Sequence, residues 1–326
     1  MSLLRIENLR VEFPTRRGVL LAVDDVSLSI EEGEVLGLVG ESGAGKTLTG
    51  IAVINLLEPP GRIARGDISL DGQNIVGLAP ETMRRIRGAK IGAIFQDPLT
   101  SLNPLYTIGK QLIETIQTHT DLDSGAARER AIALLKEVGI PAAEQRFQAY
   151  PHEFSGGMRQ RVVIALAICC HPRLIIADEP TTALDVSVQA QIINLLKKLC
   201  RDHGTAILLI THNMGVIAET TDRVAVMYSG RIVEIGPLRD VVRKPKHPYT
   251  VGLMESIPVI GQNKDYLSHI PGSMPRLQAI PPGCAFHPRC SKILARCREE
   301  RPELREAGAG GRKAACWLYE EKRANG

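Results

Sequence analysis

The stretch Val35-Leu36-Gly37-Leu38-Val39-Gly40-Glu41-Ser42-Gly43-Ala44-Gly45-Lys46-Thr47 decides the fold of this chain. The run 35–39 is apolar and short, as a buried strand is, and it feeds a glycine-rich loop. Lys46 to Leu57 then has helical character and is expected to stop before Pro59-Pro60-Gly61. The loop fits the pattern G-x-x-x-x-G-K-[ST] with the strand and helix that pattern requires. Its glycines let backbone N–H groups turn inward around phosphates. Lys46 then neutralises β and γ oxygens, and Thr47 offers its hydroxyl to Mg²⁺. A nucleoside triphosphate with Mg²⁺ is the implied ligand.

Further along, Leu174-Ile175-Ile176-Ala177 is apolar throughout, as expected for a buried parallel strand, and it ends in Asp178-Glu179. Asp178 is placed to hold the Mg²⁺ shell, directly or through water. Glu179 is placed to orient and deprotonate an attacking water. Between the two regions, Ser155-Gly156-Gly157-Met158-Arg159-Gln160-Arg161 leads into a helix and supplies a second phosphate-binding end. One folded chain has no evident need for two. The economical reading is that the second serves a nucleotide held by a partner subunit.

The rest of the chain alternates in the same sense. Residues 3–13 and 23–30 read as antiparallel strands, and 91–95, 206–210 and 224–227 as further strands. Residues 186–200 read as a helix. From 97 to 139 the pattern is helical, with 126–138 amphipathic. This predicts an α/β fold with a P-loop core and a mainly parallel sheet. An N-terminal antiparallel β subdomain and an inserted α-helical subdomain at about 98–165 complete a domain spanning 1–240. Past Gly236 prolines multiply and periodicity is lost, so 241–326 is expected to be a small irregular domain stapled by its cysteines.

Composition sets the outer bounds. The 326 residues are 44% hydrophobic and 23% charged, with a net charge of +4, which is ordinary for a soluble globular protein. The charge is too small and dispersed to argue for nucleic acid. No apolar run reaches the roughly 18 residues needed to span a bilayer. The N-terminus lacks a signal-peptide apolar region, so a cytosolic protein is expected, one able to sit against a membrane protein. Cys169, Cys170 and Cys200 fall in predicted helices as buried thiols. Cys284, Cys290, Cys297 and Cys316 crowd the C-terminal end, and in a cytosolic chain such a cluster suggests metal more than disulfides.

In the order of these motifs the sequence resembles the ATP-binding cassette ATPases. Gly40–Thr47 is similar to their Walker A motif, and Leu174–Glu179 to Walker B with its catalytic glutamate. Gln96 is similar to the Q-loop glutamine, Ser155-Gly156-Gly157-Met158 to the signature loop, Ala183-Leu184-Asp185 to the D-loop, and His212 to the switch histidine. The resemblance implies ATP and Mg²⁺ as ligands, with Thr47, Gln96 and Asp178 around the metal and Glu179, His212 and Gln96 in catalysis. Gly40, Glu41, Ser42, Gly43, Ala44, Gly45, Lys46, Thr47 and Thr49 would bind nucleotide from one subunit. Ser155, Gly156, Gly157 and Asp185 would meet it in a head-to-tail dimer. Phe13 is the candidate for stacking on adenine. Met158 departs from the usual Gln and Asn213 from the usual Asp, without removing a phosphate donor.

Asp97-Pro98-Leu99-Thr100-Ser101-Leu102-Asn103-Pro104, His247-Pro248-Tyr249-Thr250 and the cysteine-bearing end resemble one branch, the ATPases of bacterial dipeptide, oligopeptide and nickel importers. That branch implies a second ATPase subunit (a paralogue or another copy), two membrane permeases, an external solute-binding protein and a location at the cytoplasmic face of the membrane. The cysteines read Cys-x5-Cys-x6-Cys and then Cys316, which is not the tight spacing of common zinc sites. Four thiolates suit Zn²⁺ or a [4Fe–4S] cluster, and spacing does not choose between them. The resemblance favours the cluster.

Overall fold

The computed structural model describes residues 2–182, 184–257, 269–308 and 310–319. Among them the strands are β1 (Leu4–Thr15), β2 (Gly18–Ile30), β3 (Val35–Val39), β4 (Arg62–Leu70), β5 (Gln73–Asn74), β6 (Ile91–Ile94), β7 (Leu174–Asp178), β8 (Ala206–Thr211), β9 (Arg223–Tyr228), β10 (Arg231–Pro237), β11 (Arg305–Glu306) and β12 (Lys313–Ala314). The helices are α1 (Lys46–Val53), α2 (Pro80–Ala89), α3 (Pro98–Ser101), α4 (Ile108–His119), α5 (Ser124–Glu137), α6 (Ala143–Arg146), α7 (Gly156–Ile168), α8 (Val186–His203), α9 (Met214–Thr220), α10 (Leu238–Arg243) and α11 (Pro248–Glu255). The described residues fall into two compact units. One is drawn from Met1–Leu4, Ile30–Val35 and Ser69–Leu209, the other from Arg5–Ser29, Leu36–Ile68 and Ile210–Gly326.

In the first unit β8, β7 and β6 lie side by side, with β6 parallel to β7 and Ile91 opposite Leu174. Every residue of β7 is buried, because a parallel strand is covered on both faces. Burying each of Leu174, Ile175 and Ile176 contributes about 1.5–3 kcal/mol. The helical stretch of this unit packs on itself, α4 against α5 and α7 against both. Two of its helices start on side-chain caps: Thr107 accepts the Lys110 N–H and Asp123 the Ala126 N–H. Such caps satisfy N–H groups that no helical carbonyl reaches.

In the second unit β3, β9, β10, β12 and β11 are neighbours in that order, with β3 parallel to β9 and the remaining pairs antiparallel. β2, β1 and β4 are neighbours in that order in a separate four-stranded sheet. The turn of Arg16-Arg17 joins β1 to β2, and so short a connection fixes them as an antiparallel hairpin.

Several expectations are corrected here. Helix α1 ends at Val53, not near Leu57. Asn55 takes a left-handed φ of 51°, its N–H bonds the Ala52 carbonyl, and the Leu56 N–H bonds that of Ile51. That is a Schellman stop, and Asn is one of the few side chains tolerating the left-handed position. Strands β4 and β10 and helix α2 add to the expected elements, and α2 starts from its N-cap Ala79 without a side-chain cap. The tail is also more ordered than its prolines suggested. It carries α11, and β12 adds to β10 with Ala314 opposite Glu234.

The tail also shares a core with the strands beside it. Tyr249, Phe286 and Trp317 are buried, and the Tyr249 and Phe286 rings lie 4.7 and 5.3 Å from that of Tyr228 on β9. A buried ion pair fastens the same region. Glu234, with no exposed surface, accepts the Arg312 guanidinium at 2.7 Å and the N–H groups of Lys246 and His247 at 3.0 and 2.9 Å.

Candidate functional site

The glycine-rich loop belongs to the second unit and bridges β3 and α1. Gly40 has φ 156°, and a Cβ there would stand 2.2 Å from the Met227 carbonyl oxygen, so only glycine fits. No side chain caps α1, whose N-cap is Gly45, which suits a helix end whose N–H groups are to face phosphate. Lys46 is 5% exposed, and its Nζ donates to the Gly40 and Glu41 carbonyls at 2.8 and 3.0 Å. The ammonium is thus folded back over its own loop. Thr47 is exposed.

Thr49 is also expected to touch nucleotide. It is fully buried, and its hydroxyl donates to the Gly45 carbonyl at 3.0 Å, so it braces the loop–helix junction from inside. Phe13 is half-buried, and a Cβ on Gly61 would lie 2.6 Å from its ring. His212 is exposed at the end of β8. The next residue, Asn213, caps α9 by accepting the Gly215 N–H at 2.9 Å. Asn caps as well as Asp, so the departure from the usual residue leaves this turn intact.

The first unit holds the other candidates. Asp178 closes β7 and is 8% exposed. Glu179 follows in a left-handed conformation with φ 47°, uncommon for this residue and typical of backbone held in place by a site. Its Oε2 accepts from Gln96 Nε2 at 3.2 Å and from Thr182 Oγ1 at 2.7 Å. The structure therefore brings Gln96 and Glu179 together across 83 residues of sequence. It adds Thr182, which sequence reasoning missed, although its place three residues after Glu179 was a usable signal.

Ser155 is the N-cap of α7, its Oγ accepting the Met158 N–H at 3.4 Å. Gly157 sits where a Cβ would meet Val188 at 2.9 Å. Asp185 is the exposed N-cap residue of α8 and makes no capping bond with its side chain. Ala183, named above with the D-loop, lies outside the described residues.

The four C-terminal cysteines gather in the second unit. The Cys284 N–H donates to the Cys297 carbonyl at 2.9 Å. Burial pushes the Cys284 and Cys316 thiols up to about 11, and their neighbouring cysteines push in the same direction. Among the described residues, however, no three His, Cys, Asp or Glu side chains converge as a metal-holding group. What is described is a set of neighbouring thiols, short of the closed ligand set that the cysteine count suggested. Cys169 and Cys200 are buried and Cys170 half-buried, as free thiols.

A phosphate loop on a parallel strand, an acidic pair ending another and a serine-capped glycine helix define a P-loop ATPase. Residues 23–182 match the model of the ABC transporter family, and residues 233–297 that of the oligopeptide/dipeptide transporter C-terminal region. The oligopeptide transport ATP-binding protein AppD of Bacillus subtilis is 46% identical over 99% of this chain and 98% of its own length. The dipeptide transport ATP-binding protein DppD of Escherichia coli is 44% identical over 97% of this chain and 96% of its own. Among solved structures, the dimeric ATP-binding cassette MJ0796 in a post-hydrolysis state with ADP and Pi is 28% identical. It covers 72% of this chain and 99% of its own length, with a TM-score of 0.65. The chain belongs to the ABC transporter ATPases of the oligopeptide/dipeptide importer family. Among the described residues no helix is long and apolar enough to cross a membrane.

Proposed function

We propose that this chain is the ATP-binding subunit of a peptide importer, hydrolysing ATP between two ATPase domains packed head to tail. The observation that carries the hydrolytic reading is the carboxylate of Glu179, held by Gln96 and Thr182 at the end of a buried strand. In this reading Gly40–Thr47 cradle the phosphates, Lys46 exchanges its carbonyl partners for β and γ oxygens, and Thr47, Gln96 and Asp178 surround Mg²⁺. Glu179 takes a proton from the attacking water and His212 contacts the γ-phosphate. Ser155, Gly156, Gly157 and Asp185 serve the nucleotide of the other subunit, with the N-terminus of α7 directed at its γ-phosphate. Phe13 stacks on adenine. ATP then holds the dimer closed and hydrolysis releases it, a population shift set by nucleotide.

The partners in this reading are a second ATPase, two permeases at the cytoplasmic face of the membrane and, beyond them, a solute-binding protein. Leu99, Leu105 and Tyr106, shortly after Gln96, are 61%, 79% and 39% exposed, which suits a surface that receives a permease segment. Residues 1–240 serve as the cassette domain, with its helical part at about 98–165, and 241–326 as a domain proper to this branch. Within that domain Cys284, Cys290, Cys297 and Cys316 supply soft ligands of the kind a [4Fe–4S] cluster or Zn²⁺ takes, on condition that the thiols draw together and deprotonate. Iron, sulfide and zinc contents of anaerobically purified protein choose among cluster, zinc and free thiols. Peptide uptake by cells carrying the assembled transporter tests the main reading. Lys46→Ala is expected to abolish ATP-dependent uptake of peptides, and undiminished uptake would refute it.

A further inference from the structure

We propose that the C-terminal region sets nucleotide affinity by holding the phosphate loop through Glu41, with Arg289 and Tyr249 as positioning residues. This rests on the reading of Gly40–Thr47 as the ATP loop. Glu41 is engaged at all three of its polar groups. Its N–H donates to the Tyr249 hydroxyl at 2.8 Å. Its carbonyl accepts Lys46 Nζ at 3.0 Å. Its carboxylate accepts Arg289 Nη1 at 3.0 and 3.1 Å. The residue steering the phosphate-binding lysine is therefore anchored by two side chains from the last quarter of the chain.

Neither anchor is a loose surface contact. The Arg289 side chain is 7% exposed, and besides Glu41 it donates to the carbonyls of Ile270, Pro271 and Gly272 at 3.3, 2.8 and 3.2 Å. That bonding fixes the segment leading to Met274, whose methyl would lie 3.1 Å from a Cβ on Gly43 of the same loop. Tyr249 has no exposed surface and is wedged among the rings of Tyr228 and Phe286. A partly buried ion pair in a confined setting is screened less than one in open water. An anchored loop also forfeits less freedom when phosphate binds, so affinity rises through preorganisation.

The test is binding of a fluorescent ATP analogue to the full-length chain, with Lys46→Ala as reference and thermal melting as the check on folding. Glu41→Gln and Arg289→Ala are each expected to raise the Kd about five- to tenfold, the low end of coupling between two sites. The double variant is expected to be no weaker than the worse single, since both remove one contact. For Arg289→Ala in the assembled ATPase the loss should fall on KM for ATP and leave kcat within about twofold. Tyr249→Phe should weaken binding by a smaller factor. Should Arg289→Ala fail to fold, Glu41→Gln alone decides, because it deletes only a charge. Unchanged or tighter binding in Glu41→Gln, or additive losses in the double variant, overturns the proposal provided Lys46→Ala has lost binding. Wild-type binding by Lys46→Ala would instead overturn the reading of the ATP loop itself.

Discussion

Replacing Glu179 by glutamine separates holding a water from deprotonating it. Gln96 Nε2 and Thr182 Oγ1 both donate to the single atom Oε2 of this side chain. An amide that turns its oxygen to that position keeps both hydrogen bonds and the same shape. What it lacks is the capacity to accept a proton. General-base contributions run about 10²- to 10⁴-fold, or about 3–5 kcal/mol of barrier. Glu179→Gln is therefore expected to bind ATP as the wild type does while its phosphate release in the assembled transporter falls by that factor. A milder change calibrates the argument. Thr182→Val removes one donor at a solvent-facing position, worth about 1 kcal/mol, and should slow turnover about fivefold. Phosphate release and nucleotide binding are measured on the same preparations. Turnover above a tenth of wild type in Glu179→Gln would refute the assignment of the base, and a lost affinity would show that the carboxylate instead organises the binding site.

The buried pair Glu234–Arg312 should be cheap to replace and costly to break. Arg312→Met alone is expected to cost about 3–5 kcal/mol, and the Glu234→Gln, Arg312→Met double to recover most of it in denaturant melts, so a double no better than the single would count against this. His247 is fully buried, its Nδ1 accepts the Tyr249 N–H at 3.1 Å, and burial pushes its pKa down to about 3 from 6.5. Below pH 6.5 the unfolded chain takes up a proton that the folded chain refuses. Stability should therefore fall as pH drops toward 3, by about 2 kcal/mol at pH 5 from this residue, and His247→Asn should flatten that part of the profile. An equal slope in the variant would assign the effect elsewhere. In mixed dimers, Ser155→Ala should slow hydrolysis at the partner's phosphate loop and spare the mutant chain's own, and the reverse pattern would sink the head-to-tail arrangement.

Legibility followed the range of the forces involved. The strand, loop and helix around Gly40–Thr47 were readable because glycine, lysine and apolar residues are dictated there by local backbone geometry. The strand ending at Asp178 was equally plain, since a strand covered on both faces must be apolar throughout. α1 was overrun at its C-terminus because the left-handed stop at Asn55 is a single-residue event. β12 is only two residues long, and nothing periodic can show in so short a strand. It exists because β10 offers it an edge.

The sequence by itself determined the phosphate loop, the acidic pair, the serine-capped helix and their order along the chain, because each is a short run whose chemistry demands particular residues. Tertiary structure alone decided what those residues lean on. Gln96 and Thr182 meet on one carboxylate oxygen, Thr49 turns inward, and Glu41 is gripped by Arg289 from 248 positions away. A hydrogen bond constrains two atoms in space and leaves the intervening sequence free, so such partnerships leave no spacing to read.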